Sequence, residues 1–129
     1  MYVKRDFKAD YMHILFCSDV KEERYSYMHN NNEIGQIHVY LENGRMNIDL
    51  FEVNPMFRGK GWGTKMVASI FAEFPAVKQI WAMAEEAVLD GFWRKQDGFR
   101  FRGEGHDEQE GYLWFEINQP ENHIKELIV

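Results

Sequence analysis

Three features of the 129-residue sequence predict an α+β fold. They are a strand-rich first part with a two-residue hairpin signal, a glycine-rich loop leading from a strand into an amphipathic helix, and a closing pair of aromatic strands. Up to residue 54, segments 11–17, 24–29, 33–42 and 45–54 are rich in Tyr, Ile, Val and Phe and read as strands. Asn30, Asn31 and Asn32 supply turn chemistry, and Asn43-Gly44 is a two-residue turn that makes its flanking strands antiparallel neighbours. Beyond the glycine loop, Val67, Ile70, Phe71 and Phe74 recur at helical spacing over 64–74, and Pro75 ends that helix. A strand is predicted over 79–84. A second helix fits 86–96, with Leu89, Phe92 and Trp93 on one side and Gly98 as its stop. Strands 99–102 and 112–117 form a last hairpin around the tip 103–111. Residues after Pro120 read as peripheral, with 124–129 either a short helix or a partner strand.

Composition narrows the function classes. The length predicts one domain, 1–129, and 45% hydrophobic residues suffice for a packed core. No apolar run approaches the ~20 residues of a membrane helix, and Met1-Tyr2-Val3-Lys4-Arg5-Asp6 leads into no signal-type stretch, so a cytoplasmic location without membrane partner is expected. The single cysteine, Cys17, excludes an internal disulfide. His13 and Cys17 stand four apart, but with no second ligand pair nearby they predict no metal site. A net charge of −6 argues against a nucleic-acid partner.

The segment Arg58-Gly59-Lys60-Gly61-Trp62-Gly63-Thr64 carries the chemistry. Alternate glycines let successive backbone N–H groups turn onto one concavity, and the helix that follows adds its unpaired N–H groups and positive dipole end. Arg58, Lys60 and Lys65 bring positive charge to the rim, so the predicted ligand is a phosphate or pyrophosphate. The spacing excludes two other phosphate loops. Counted from Gly59, the dinucleotide fingerprint would need a glycine at Thr64; the nucleoside-triphosphate loop would also need glycine there and Ser or Thr at Met66.

The pattern R-G-x-G-x-G after a strand ending Glu52-Val53-Asn54-Pro55 resembles the acyl-CoA loop of the GNAT N-acetyltransferase superfamily. Residues 87–99 are similar to that family's helix with an aromatic pair and a following Gly-Phe. The resemblance covers residues 45–117 and marks a short member. It implies a mixed, mostly antiparallel central sheet with helices on both faces, the acceptor-side helices being reduced. It also implies acetyl-CoA as co-substrate, held by Phe51, Val53, Arg58, Gly59, Lys60, Gly61, Trp62, Gly63, Thr64 and Trp93, and no metal. By the same resemblance the Val53 amide meets the thioester oxygen, and Asp49, four residues earlier, takes the amine proton, with Glu52 as second candidate. Strict alternation would put Asp49 and Glu52 on opposite faces, but the family strand commonly bulges there.

Three departures stand out. Trp93 occupies the place of the usual tyrosine acid, and indole has no usable acidity; Tyr112 is the substitute candidate. Glu85 and Glu86 replace a frequent asparagine. The region before Tyr25 is short for two acceptor-side helices, so the site is either open or completed by another subunit as a homodimer. The acidic tip, with Glu104, Asp107, Glu108 and Glu110, is either a solvated turn or a draw for a cationic acceptor. The expected activity is acetyl transfer to a primary amine, on a small molecule or a protein lysine. A non-catalytic CoA-binding module is the alternative.

Overall fold

The computed structural model describes residues 1–4, 22–104 and 111–120. The expectations for segment 11–17, His13, Cys17, the hairpin tip 105–110 and the chain after Pro120 fall outside those residues. Seven strands, β1 (Tyr2–Lys4), β2 (Glu22–His29), β3 (Asn32–Glu42), β4 (Arg45–Val53), β5 (Gln79–Glu85), β6 (Phe99–Glu104) and β7 (Tyr112–Asn118), form one sheet in the order β1-β2-β3-β4-β5-β7-β6. Every neighbouring pair is antiparallel except β4–β5, which is parallel and joined by helix α1 (Trp62–Glu73).

Turn chemistry fixes the first register. Asn43 and Gly44 both have positive φ (44° and 80°), as do Asn30 and Asn31 (49° and 64°), so two tight turns set β2, β3 and β4 side by side. The pairing then places Tyr27, Ile37, Val39, Met46, Ile80, Phe115 and Ile117 on one face, all buried. Helix α1 lays Met66, Val67, Ile70 and Phe71 onto that face. Each such burial contributes roughly 1.5–3 kcal/mol relative to exposure, and truncating fully buried Ile70 to alanine would cost about 2–5 kcal/mol. The sequence pattern does not mark β1. Its Tyr2 joins the same core, donating from Oη to the Met66 carbonyl (2.9 Å) and from its backbone N–H to Glu73 Oε2 (2.8 Å).

The predicted second helix is shorter than expected. Helix α2 covers Glu86–Gly91, the backbone breaks at Phe92 (φ −135°, ψ −61°), and a 3₁₀ turn follows at Trp93–Lys95. Gly91 disfavours helix by about 1 kcal/mol relative to alanine. Phe92 and Trp93 are adjacent, which in a continuous helix would aim them apart, yet both rings pack on Phe51 (centroids 5.8 and 4.8 Å). Helix α1 also begins earlier than expected, at Trp62. Both described helices cover one face of the sheet. The crossovers β4–α1–β5 and β5–α2–β6 advance in the same direction across the sheet, and right-handed connections then put both helices on one side.

Candidate functional site

The sheet parts between β4 and β5. These strands pair only at Arg45/Gln79, Met46/Ile80 and Asn47/Trp81, and beyond them neither strand has the other as partner. The pairing of β4 with β3 supplies the reason. His38 pairs with Leu50 and Val39 with Ile48, so Asp49 is an extra residue, a β-bulge that bends its strand away. Two cavities border the parting, one of about 640 Å³ and one of about 390 Å³.

The larger cavity lies where β4 ends and α1 begins. It is lined by Phe51, Glu52, Val53, Arg58, Gly59, Gly61, Trp62, Gly63, Thr64 and Trp93, together with Leu50, Phe57, Val88, Gly91 and Phe92. Gly59 and Gly61 have φ of 75° and 84°, the left-handed conformation glycine tolerates, and a Cβ on either would meet nothing within 4 Å. Gly61 is the N-cap of α1, and no side chain caps the helix, so its first N–H groups remain available to an anion. Gly63, which also lines the cavity, has a further task. A Cβ there would stand 2.8 Å from Phe92 Cε1, so this glycine admits the Phe92 ring against the start of the helix.

Arg58 and Lys65 are more constrained than rim charges. Arg58 Nε donates to the Val53 carbonyl (2.7 Å), fastening the loop to the end of β4, and the Lys65 ammonium lies 4.5 Å over the Trp62 ring. Lys60 is exposed and outside the cavity lining. Trp93 is 5% exposed, packed on Phe51 and Phe115, and it also lines the cavity. Buried Gln96, which sequence reasoning missed, donates to Thr64 Oγ1 (3.3 Å) and to the Phe92 carbonyl (3.1 Å), joining the 3₁₀ turn to the glycine loop.

Hydrogen-bond alternation orients the Val53 amide. Asn54 N–H donates to the Ile34 carbonyl (2.8 Å), making Asn54/Ile34 a hydrogen-bonded pair. The preceding pair, Val53/Gly35, is then of the other kind, with the Val53 N–H and carbonyl turned away from β3 and toward the parting. The Arg58 bond to that carbonyl agrees with this direction.

The smaller cavity is lined by Tyr40, Asn47, Ile48, Asp49, Trp81, Ala82, Met83, Tyr112 and Trp114. The structure thus brings Asp49 and Tyr112 together, although 62 residues separate them by number. The bulge also answers the alternation problem. Asn47 pairs with Tyr40 and Glu52 with Gln36, so Asn47 and Glu52 share the face away from the helices, and Asp49 lies in the cavity beside Asn47. Glu52 accepts a hydrogen bond from Gln36 Nε2 (3.2 Å) and borders the larger cavity instead. Tyr40, Asn47, Trp81, Met83 and Trp114 were not singled out from the sequence; only the strand order shows that they converge.

Among the described residues no group of three or more His, Cys, Asp or Glu could hold a metal ion, and no helix is long and apolar enough to cross a membrane. No protein-family model matches the sequence, and no curated protein matches it either. Solved structures do resemble it. An acetyltransferase from Bacillus subtilis in complex with CoA aligns with a TM-score of 0.62 at 11% identity, over 92% of this chain and 98% of that one. A GNAT family acetyltransferase from Elizabethkingia anophelis with acetyl-CoA bound gives 0.63 at 14% identity, over 92% and 97%. An acetyltransferase from Thermus thermophilus gives 0.64 at 16% identity, over 81% and 69%. The chain has the fold of the GNAT acetyltransferases, as the glycine loop and the Gly-Phe segment led us to expect.

Proposed function

We propose that this chain is a GNAT acetyltransferase that moves the acetyl group of acetyl-CoA to a primary amine by direct attack. One observation carries the reading: two cavities border the parting of β4 from β5, one built from the glycine loop and helix start, the other around Asp49. The N–H groups at the start of α1 and those of the loop suit the CoA pyrophosphate. Acetyl-CoA supplies the acetyl group in activated form, as a thioester. The chain supplies position, an N–H donor and a proton acceptor. The Val53 N–H, turned into the gap, suits the thioester oxygen. Asp49, on the same strand but in the smaller cavity, takes the amine proton directly or through water. The new bond forms between amine nitrogen and acyl carbon, the carbon–sulfur bond breaks, and the thiolate leaves. Tyr112 shares the cavity with Asp49 and is our candidate to protonate that thiolate.

Calorimetric titration with acetyl-CoA, followed by CoA-thiol release assayed over amines and basic peptides, tests the proposal. Saturable binding with amine-dependent release is the expected result. Binding with no release for any amine or peptide would reduce the protein to a CoA-binding module. No binding at all would refute both readings.

A further inference from the structure

Four strands, β3, β4, β5 and β7, build the smaller cavity with a consistent chemistry. Pairing of Tyr40 with Asn47, of Asn47 with Trp81 and of Met83 with Trp114 puts these side chains on the sheet face away from the helices. Tyr112, two residues before Trp114, lies on that face too. Of the nine residues lining the cavity, four are aromatic and three are aliphatic or sulfur-bearing, and the only charge is Asp49. Trp81 is braced from outside. The Arg45 and Arg102 guanidinium carbons lie over its ring at 4.3 and 5.0 Å, and its indole N–H donates to Gln79 Oε1 (3.0 Å). Arg102 is itself held by buried Glu116 (3.0 Å), which also accepts from Gln79 Nε2 (3.0 Å). The Trp81 polar atom is thereby satisfied outside the cavity, and the wall it forms there is carbon.

We infer that this cavity selects a primary monoamine carried on a compact apolar or aromatic body, and selects against polyamines. The inference rests on the proposed function for the amine's fate, but its recognition chemistry stands on the cavity alone. Aromatic walls attract an ammonium through their quadrupoles and also bury an apolar body, whereas a hydroxyl in its place gains no such attraction. One carboxylate matches one ammonium. A second ammonium on the same chain would enter a space walled by Trp81, Met83 and Trp114, where no described lining residue offers it a countercharge.

Ligand-observed NMR titration of the full chain with phenethylamine, phenethyl alcohol and spermidine reads this without turnover. Phenethylamine should bind at least about tenfold more tightly than either of the others. Trp114→Leu keeps apolar volume but removes the ring, so it should raise the phenethylamine Kd about tenfold, change the Kd of the alcohol much less, and leave the acetyl-CoA Kd unaltered. Should that variant fail to fold, Tyr112→Leu, at a half-open strand end, is expected to act in the same direction. Spermidine or the alcohol binding as tightly as phenethylamine, or no change in a folded ring-deleted variant, overturns the inference. Selective binding without CoA-thiol release would keep it and refute the proposed function. Turnover indifferent to the amine's body would do the reverse.

Discussion

Replacing Gly63 with alanine tests how the glycine loop is built. The new Cβ would lie 2.8 Å from Phe92 Cε1 and 3.0 Å from Cζ, against an ordinary carbon contact of about 3.5–4.0 Å. The ring must retreat by roughly 0.7 Å or more, while Trp93 (4.8 Å between centroids) and Phe51 (5.8 Å) confine it. Overpacking of this kind costs about 1–3 kcal/mol, and alanine recovers up to about 1 kcal/mol of helix propensity. The net expectation is a loss of about 0.5–2 kcal/mol, read as a Tm lower by roughly 2–8 °C for a domain of this size. Acetyl-CoA affinity should fall with it, because Phe92 lines the cavity. A second substitution separates this cause from loop strain. In Gly63→Ala/Phe92→Leu the smaller side chain makes room, so the pair should be less destabilised than the sum of its singles by about 1 kcal/mol. Gly61→Ala, in open space at φ 84°, should cost about 1–2 kcal/mol from backbone strain and show no such coupling to Phe92. Gly63→Ala at or above wild-type stability with unchanged acetyl-CoA Kd, or a strictly additive double variant, would refute the assignment.

The remaining predictions concern the proposed chemistry and the edge of the sheet. Asp49→Asn should lower kcat about 10²-fold while sparing the acetyl-CoA Kd, and Glu52→Gln, whose carboxylate faces Gln36, should do much less; the opposite ranking in steady-state kinetics would exchange their roles. Arg58→Ala removes the bond to the Val53 carbonyl and one cation beside the loop, so calorimetry should show acetyl-CoA bound about 5- to 30-fold more weakly, by about 1–2 kcal/mol. Burial holds the Tyr2 hydroxyl well above the ordinary tyrosine range, as a neutral donor to Met66. The sign follows: this stabilisation is complete below the unfolded value of about 10 and is lost as pH rises above it, because the unfolded chain ionises first. Tyr2→Phe should therefore lose about 1 kcal/mol at neutral pH in urea unfolding and show a shallower alkaline decline than wild type.

Local chemistry made much of this fold readable. Asn43-Gly44, the helical spacing from Val67 to Phe74 and the Gly59–Gly61 loop act within a few residues, and the structure agrees with each. What failed was non-local. Helix 86–96 was read through Phe92 because periodicity registers two adjacent aromatics as one face, whereas competition for Phe51 breaks the backbone there. The task of Gly63 could not be seen without Phe92, 29 residues on by number. Tyr40, Trp81 and Trp114 belong to three strands, and nothing in any single strand says that they meet. Asp49 was reachable only through the family resemblance, since a bulge is a property of two paired strands and not of one.

The alternation along the end of β4 has a consequence for isotope exchange. Glu52 and Asn54 face β3 as hydrogen-bonded partners, while the Phe51 and Val53 amides point toward the parted side. Adjacent amides of one strand should therefore run on two clocks in the free protein, slow for 52 and 54 and fast for 51 and 53. A bound thioester ligand lying in the gap would act as a surrogate strand edge, slowing the fast pair and leaving the slow pair almost as before. The break in the ladder makes part of this sheet wait for a small molecule to complete it.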